Sequence, residues 1–71
     1  MQTIYTTEVI TAHNNETRQF TVRMFRGKYE VLVQRNNDSI WDSQFKSIDL
    51  HWIMRNVHQM VNNLETAKVA A

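Results

Sequence analysis

The run from Thr17 to Arg35, TRQFTVRMFRGKYEVLVQR, constrains this chain more than any other stretch, because it alternates on both sides of the only glycine. Phe20, Val22 and Met24 alternate with Gln19, Thr21 and Arg23, and beyond Gly27 the pattern resumes with Tyr29, Val31 and Val33. Alternation at period two marks a strand with one buried face. A two-residue turn at Gly27-Lys28, with glycine at the first central position, sets Arg26 opposite Tyr29, Met24 opposite Val31 and Val22 opposite Val33. The apolar residues of both strands then share one face. The expected strands are 17–26 and 29–35, joined as a hairpin.

Residues 3–12, TIYTTEVITA, are rich in threonine and branched side chains, which favours another strand. The Asn14-Asn15 pair suits a tight turn, because asparagine tolerates positive φ. A two-residue turn there brings Val9 to Phe20 and Tyr5 to Met24 on the core side, and puts Ile4 and Ile10 on the opposite face. A bulge would exchange some of these positions. His13, at the turn, reads as solvated. After Arg35, the run Asn36-Asn37-Asp38-Ser39 is a loop leading to a short strand, 40–45, with Trp41 and Phe45 on one side. Ser47 then reads as a helix N-cap, with Asp49 complementing the dipole of a helix over about 48–64. Ile53, Val57, Met60 and Leu64 form its apolar stripe, widened by Leu50, Met54 and Val61. Residues 65–71 carry no aromatic anchor and are expected to fray. The expectation is a single α+β domain, 1–71: a small antiparallel sheet of three to four strands packed on one C-terminal helix.

At 71 residues, only about 60% of the surface of the unfolded chain is buried on folding. Net stability from such a core is about 3–5 kcal/mol. There is no cysteine, which fits a reducing compartment. The N-terminus, MQTIYTTEVI, has no basic region followed by an apolar run, and nothing approaches ~18 consecutive apolar residues. A cytoplasmic protein with no membrane partner is expected. The net charge of +1 is far from that of an obligate DNA coat, yet residues 17–35 hold Arg18, Arg23, Arg26, Lys28 and Arg35 against Glu30 alone.

Chemistry-bearing motifs are sparse. His51 and His58 are seven residues apart, which is ~10.5 Å along a helix. That is too far to share one zinc at ~2.0–2.1 Å from each ligand. No serine is spaced with a base as a nucleophile triad requires, and Gly27 alone makes no phosphate loop. Neither catalysis nor a metal or cofactor is expected. Surface residues are left to carry function. One helix covers one face of such a sheet, so Phe25, Leu32, Ile40, Ile4 and Ile10 are expected together on the other, with Arg23 among them. Arginine beside aromatic and apolar side chains suits protein interfaces and nucleic-acid stacking surfaces alike. The candidate partner-binding residues are Arg23, Phe25, Arg26, Lys28 and Leu32.

The segment Met24-Phe25-Arg26-Gly27-Lys28-Tyr29, followed by Val31 and Val33, resembles the hairpin of the bacterial cell-division activator CedA family. That family follows its hairpin with an aromatic-containing strand and a tryptophan-bearing helix, places that Phe45 and Trp52 would fill here. The resemblance covers roughly residues 20–59 and departs in the fuller first strand of this chain. It implies a small antiparallel sheet on one helix, DNA binding, association with the transcription machinery, and contact roles for Arg23, Arg26 and Lys28. Phage-encoded inhibitors of host defence share the size and style. The reading is a small non-enzymatic regulatory or inhibitory protein that docks on a macromolecular partner, which could belong to a nucleic-acid-handling complex. The alternative is a DNA-binding regulator using the basic hairpin. A homodimer through the second sheet face is a further expectation.

Overall fold

A computed structural model describes residues 2–11 and 15–70, with side chains as far as Glu65. The described chain forms β1 (Gln2–Thr6), β2 (Ile10–Thr11), β3 (Thr17–Phe25), β4 (Lys28–Arg35), β5 (Trp41–Ser47) and α1 (Leu50–Ala70). The strands make one antiparallel sheet in the order β1-β3-β4-β5, and β2 pairs with β3 beyond β1. This is the α+β fold that the alternation and the helical stripe imply. Among the described residues, no helix is long and apolar enough to cross a membrane.

The core lies between the sheet and α1. Phe20, Val22, Val31 and Val33 of the sheet pack with Ile53 and Val57 of the helix, flanked by Leu50, Met54, Met60, Val61 and Leu64. Met24 shares their strand face but stays exposed. The helical stripe thus does what its spacing requires.

The central hairpin closes one residue earlier than expected. Arg26 and Gly27, not Gly27 and Lys28, are the turn, with φ of 54° and 76°. Both central residues occupy the left-handed region, as a type I′ turn demands, and that turn matches the right-handed twist of its strands. The pairs become Met24 with Tyr29, Val22 with Val31 and Phe20 with Val33. Pairing slips by two residues, and because side chains alternate with period two, every residue keeps its expected face.

The first expected strand, by contrast, breaks in two. Its pairing shifts between Thr3 and Tyr5, and the ladder lapses between Thr6 and Ile10. Thr7 holds this break together. Its amide donates to the Phe20 carbonyl at 2.9 Å, its hydroxyl accepts the Phe20 amide at 3.1 Å, and its carbonyl accepts Gln19 Nε2 at 3.0 Å. Tyr5 pairs with Val22 rather than Met24, Ile10 packs against the core, and Val9 is 51% exposed. Ile10 has thus left its expected face for the core, while Val9 lies in the break between β1 and β2. Of the proposed Asn14-Asn15 turn, Asn14 and the neighbouring His13 lie outside the described residues.

A second irregularity lies in β5, which runs two residues past its expected end. Val31 pairs with Phe45 and Leu32 with Ser43, so Gln44 is an extra residue, a β-bulge. The bulge separates Phe45, packed towards the helix, from Trp41, which lines the other face beside Leu32. The sequence pattern had placed these aromatics on one side. The helix also starts later than expected. Its cap is Asp49, whose Oδ1 accepts the Trp52 amide at 3.1 Å and whose carbonyl accepts the Ile53 amide at 3.0 Å. Ser47 instead accepts the Asp49 amide at 3.0 Å, bracing the approach. At the other end, the helix continues through residues expected to fray, as far as Ala70.

Candidate functional site on the helix-free sheet face

Strand pairing arranges the face opposite α1 in rows. Phe25 stands across from Lys28 at the hairpin end. The next row reads Thr3, Arg23, Glu30, Lys46; then come Thr6, Thr21, Leu32, Ser43; then Gln19, Gln34, Trp41. The pattern is mostly polar, unlike the apolar patch expected. Ile10 has turned to the core, and Leu32 is buried in the floor of a depression lined by Thr3, Thr6, Gln19, Thr21 and Trp41. Ile40 precedes β5 and is 64% exposed, and Ile4 sits at the shift within β1.

The centre of the face is Glu30, which is only 5% exposed. Alternation puts it there: its neighbours Tyr29 and Val31 point to the helix side. Arg23 Nε and Nη2 donate to its Oε1 at 2.7 and 2.6 Å. Ser43 Oγ donates to its Oε2 at 2.7 Å, and Lys46 Nζ lies 3.7 Å from the same oxygen. Burial pushes the Glu30 carboxyl up, but hydrogen bonds from Ser43 and Arg23 and the charges of Arg23 and Lys46 outweigh it. The group therefore titrates below its ordinary value.

Around this carboxylate the structure gathers four of the five sequence-predicted residues. Arg23 and Arg26 both sit over the Phe25 ring, at 5.7 and 5.0 Å from its centroid. This is cation–π distance. Phe25 is 43% exposed. Phe25, Arg26, Lys28, Glu30 and Lys46 line a depression of about 300 Å³. Leu32, the fifth predicted residue, is one row away and offers little surface.

The basic segment is less free than its composition suggests. Arg18 pairs with Glu16 at 2.6 Å and Arg35 with Asp42 at 2.8 Å, while Arg23 is held by Glu30. Among the described residues, Arg26 and Lys28 are in no ion pair. Lys46 and Ser43 belong to the site and were missed, because their neighbours depend on the bulge at Gln44. No three His, Asp or Glu side chains converge as metal ligands among the described residues. No family model, curated protein or solved structure matches this chain.

Proposed function

We propose that this chain is a small, non-enzymatic regulatory or inhibitory binding protein that docks its helix-free sheet face on a macromolecular partner. One observation carries the reading: Arg23, Phe25, Arg26 and Lys28 stand together at one end of a face that no helix covers. Aromatic side chains and arginine are the residue types enriched at protein interfaces. The pairing of Glu30 with both Arg23 and Ser43 holds the cluster in place, which lowers the ordering cost of binding.

DNA binding is the second reading, and it is what the likeness to CedA implies. The guanidinium groups stacked over Phe25 favour it, since nucleic acids are met by the same chemistry. The ion pairs that occupy Arg18, Arg23 and Arg35 count against it. A homodimer through this face has less apolar surface to draw on than expected, because Ile10 packs against the core and Leu32 is buried.

Capture experiments test the docking reading. Immobilised wild-type protein and an Asn62→Asp control, altered on the exposed side of the helix, should retain the same partner, and Phe25→Asp should lose it. Retention by Phe25→Asp would move the docking surface elsewhere. A gel shift with duplex DNA over a salt series tests the second reading. Each phosphate contact contributes about −0.9 to the logarithmic salt slope.

A further inference from the structure

Resting on the docking reading above, we infer that the hairpin end of the helix-free face is a receptor for an acidic protein segment: carboxylates for Arg26, Lys28 and Lys46, and an apolar side chain for Phe25. Charge complementarity carries the inference. Arg23, Arg26, Lys28 and Lys46 surround Glu30, a local net of +3 in a protein whose total is +1. The internal carboxylate is already committed to Arg23 and Ser43 by short hydrogen bonds. Lys46 is held only loosely, 3.7 Å from Glu30 with its side chain 60% exposed. Arg26 and Lys28 have no carboxylate partner among the described residues. Three cations therefore converge on a depression of about 300 Å³ whose own anion is spoken for.

The same inventory discriminates between polyanions. Duplex DNA binding draws its affinity from many phosphates, with proteins commonly neutralising about six to ten of them. Three cations give a slope of about −2.7, against about −5 to −9 for six to ten contacts, so this site alone offers duplex DNA only a small electrostatic affinity. An acidic peptide needs fewer charges, because an apolar side chain on Phe25 adds contact that salt does not screen.

The test uses the full chain and fluorescence anisotropy at low salt. The probe is a labelled, acetylated hexapeptide of alternating glutamate and leucine. Its glutamine counterpart, a duplex and an oligothymidylate are the comparisons. The inference expects binding of the glutamate peptide, loss with the glutamine peptide, and weaker binding of both nucleic acids. The triple variant Arg26→Gln, Lys28→Gln, Lys46→Gln alters only exposed side chains, and circular dichroism checks its fold. It should weaken the glutamate peptide about threefold or more, at roughly 1.4- to fivefold per exposed ion pair. Three results each overturn the inference: no binding of the glutamate peptide, equal binding by the triple variant, or tighter binding of a nucleic acid through the same residues. Partner capture that still depends on Phe25 would leave docking standing while the acidic chemistry fell. Loss of that dependence would remove the docking reading itself.

Discussion

Replacing Glu30 with glutamine keeps the shape of the side chain and removes the charge on which the helix-free face is centred. In the native protein the carboxylate accepts from Arg23 at 2.6 and 2.7 Å and from Ser43 at 2.7 Å. A hydrogen bond to a charged group contributes about 1.5–3 kcal/mol net, and the amide nitrogen of glutamine would face donors in at least one of these positions. Water offsets part of the loss, because Arg23 and Lys46 are 28% and 60% exposed and can be rehydrated. A net destabilisation of about 2 kcal/mol follows, which is large against the ~3–5 kcal/mol available to so small a core. At about 4–8 °C per kcal/mol for a domain of this size, the melting temperature should fall by roughly 8–16 °C at neutral pH.

The pH dependence separates charge from shape. The carboxyl titrates lower in the folded protein than its ordinary value of 4.5. A depressed folded pKa contributes stability that is complete above the unfolded value and is lost as pH falls through the folded one. The gap between wild type and Glu30→Gln should therefore be full at neutral pH and narrow on acidification below that value. Thermal melts followed by circular dichroism across the acid range measure it. Equal melting temperatures at neutral pH, or a gap that acid leaves unchanged, would refute the reasoning.

Val57 is fully buried in the sheet–helix core, so Val57→Asp places an unpaired carboxylate there and should unfold the domain, seen as loss of the cooperative melt. Arg26 holds a φ of 54° in the hairpin turn, a region that costs a non-glycine residue about 1–2 kcal/mol. Arg26→Asn should recover up to about 1 kcal/mol in urea unfolding while weakening the acidic peptide. Thr7→Val removes the hydroxyl that accepts the buried Phe20 amide, and should cost about 1–3 kcal/mol, with faster hydrogen exchange at that amide.

Faces were more legible than registers, and the reason is geometric. Alternation specifies a side chain's face modulo two, so the hairpin could slip from a Gly27-Lys28 turn to an Arg26-Gly27 turn without moving any residue across the sheet. A break or bulge shifts by one and does exchange faces. Neither the break held by Thr7 nor the extra residue at Gln44 carries a glycine or proline to announce it. Ile10 and Trp41 fall on the faces opposite to those expected for this reason. The helical stripe survived because its period is internal to one element. Its start was harder, since Ser47 and Asp49 are both competent caps, and only the hydrogen bonds formed, Trp52 to Asp49 and Asp49 to Ser47, decide between them. At the site, Arg23, Phe25, Arg26 and Lys28 were local to the hairpin and readable. Lys46 and Ser43 come from a neighbouring strand whose alignment depends on the bulge.

That bulge also bears on what the molecule does at high concentration. β5 forms an outer rim of the sheet, seven residues long, and a free rim of backbone donors and acceptors is a template for another strand. The extra residue at Gln44 bends the rim and divides it into stretches of three residues, Trp41 to Ser43 and Phe45 to Ser47. A straight strand from a second molecule can follow either stretch but not both in one register. Lys46 sets a solvated charge on the second. The interruption that turns Phe45 inward and Ser43 towards Glu30 therefore also makes this rim a poorer template for a strand from a second molecule.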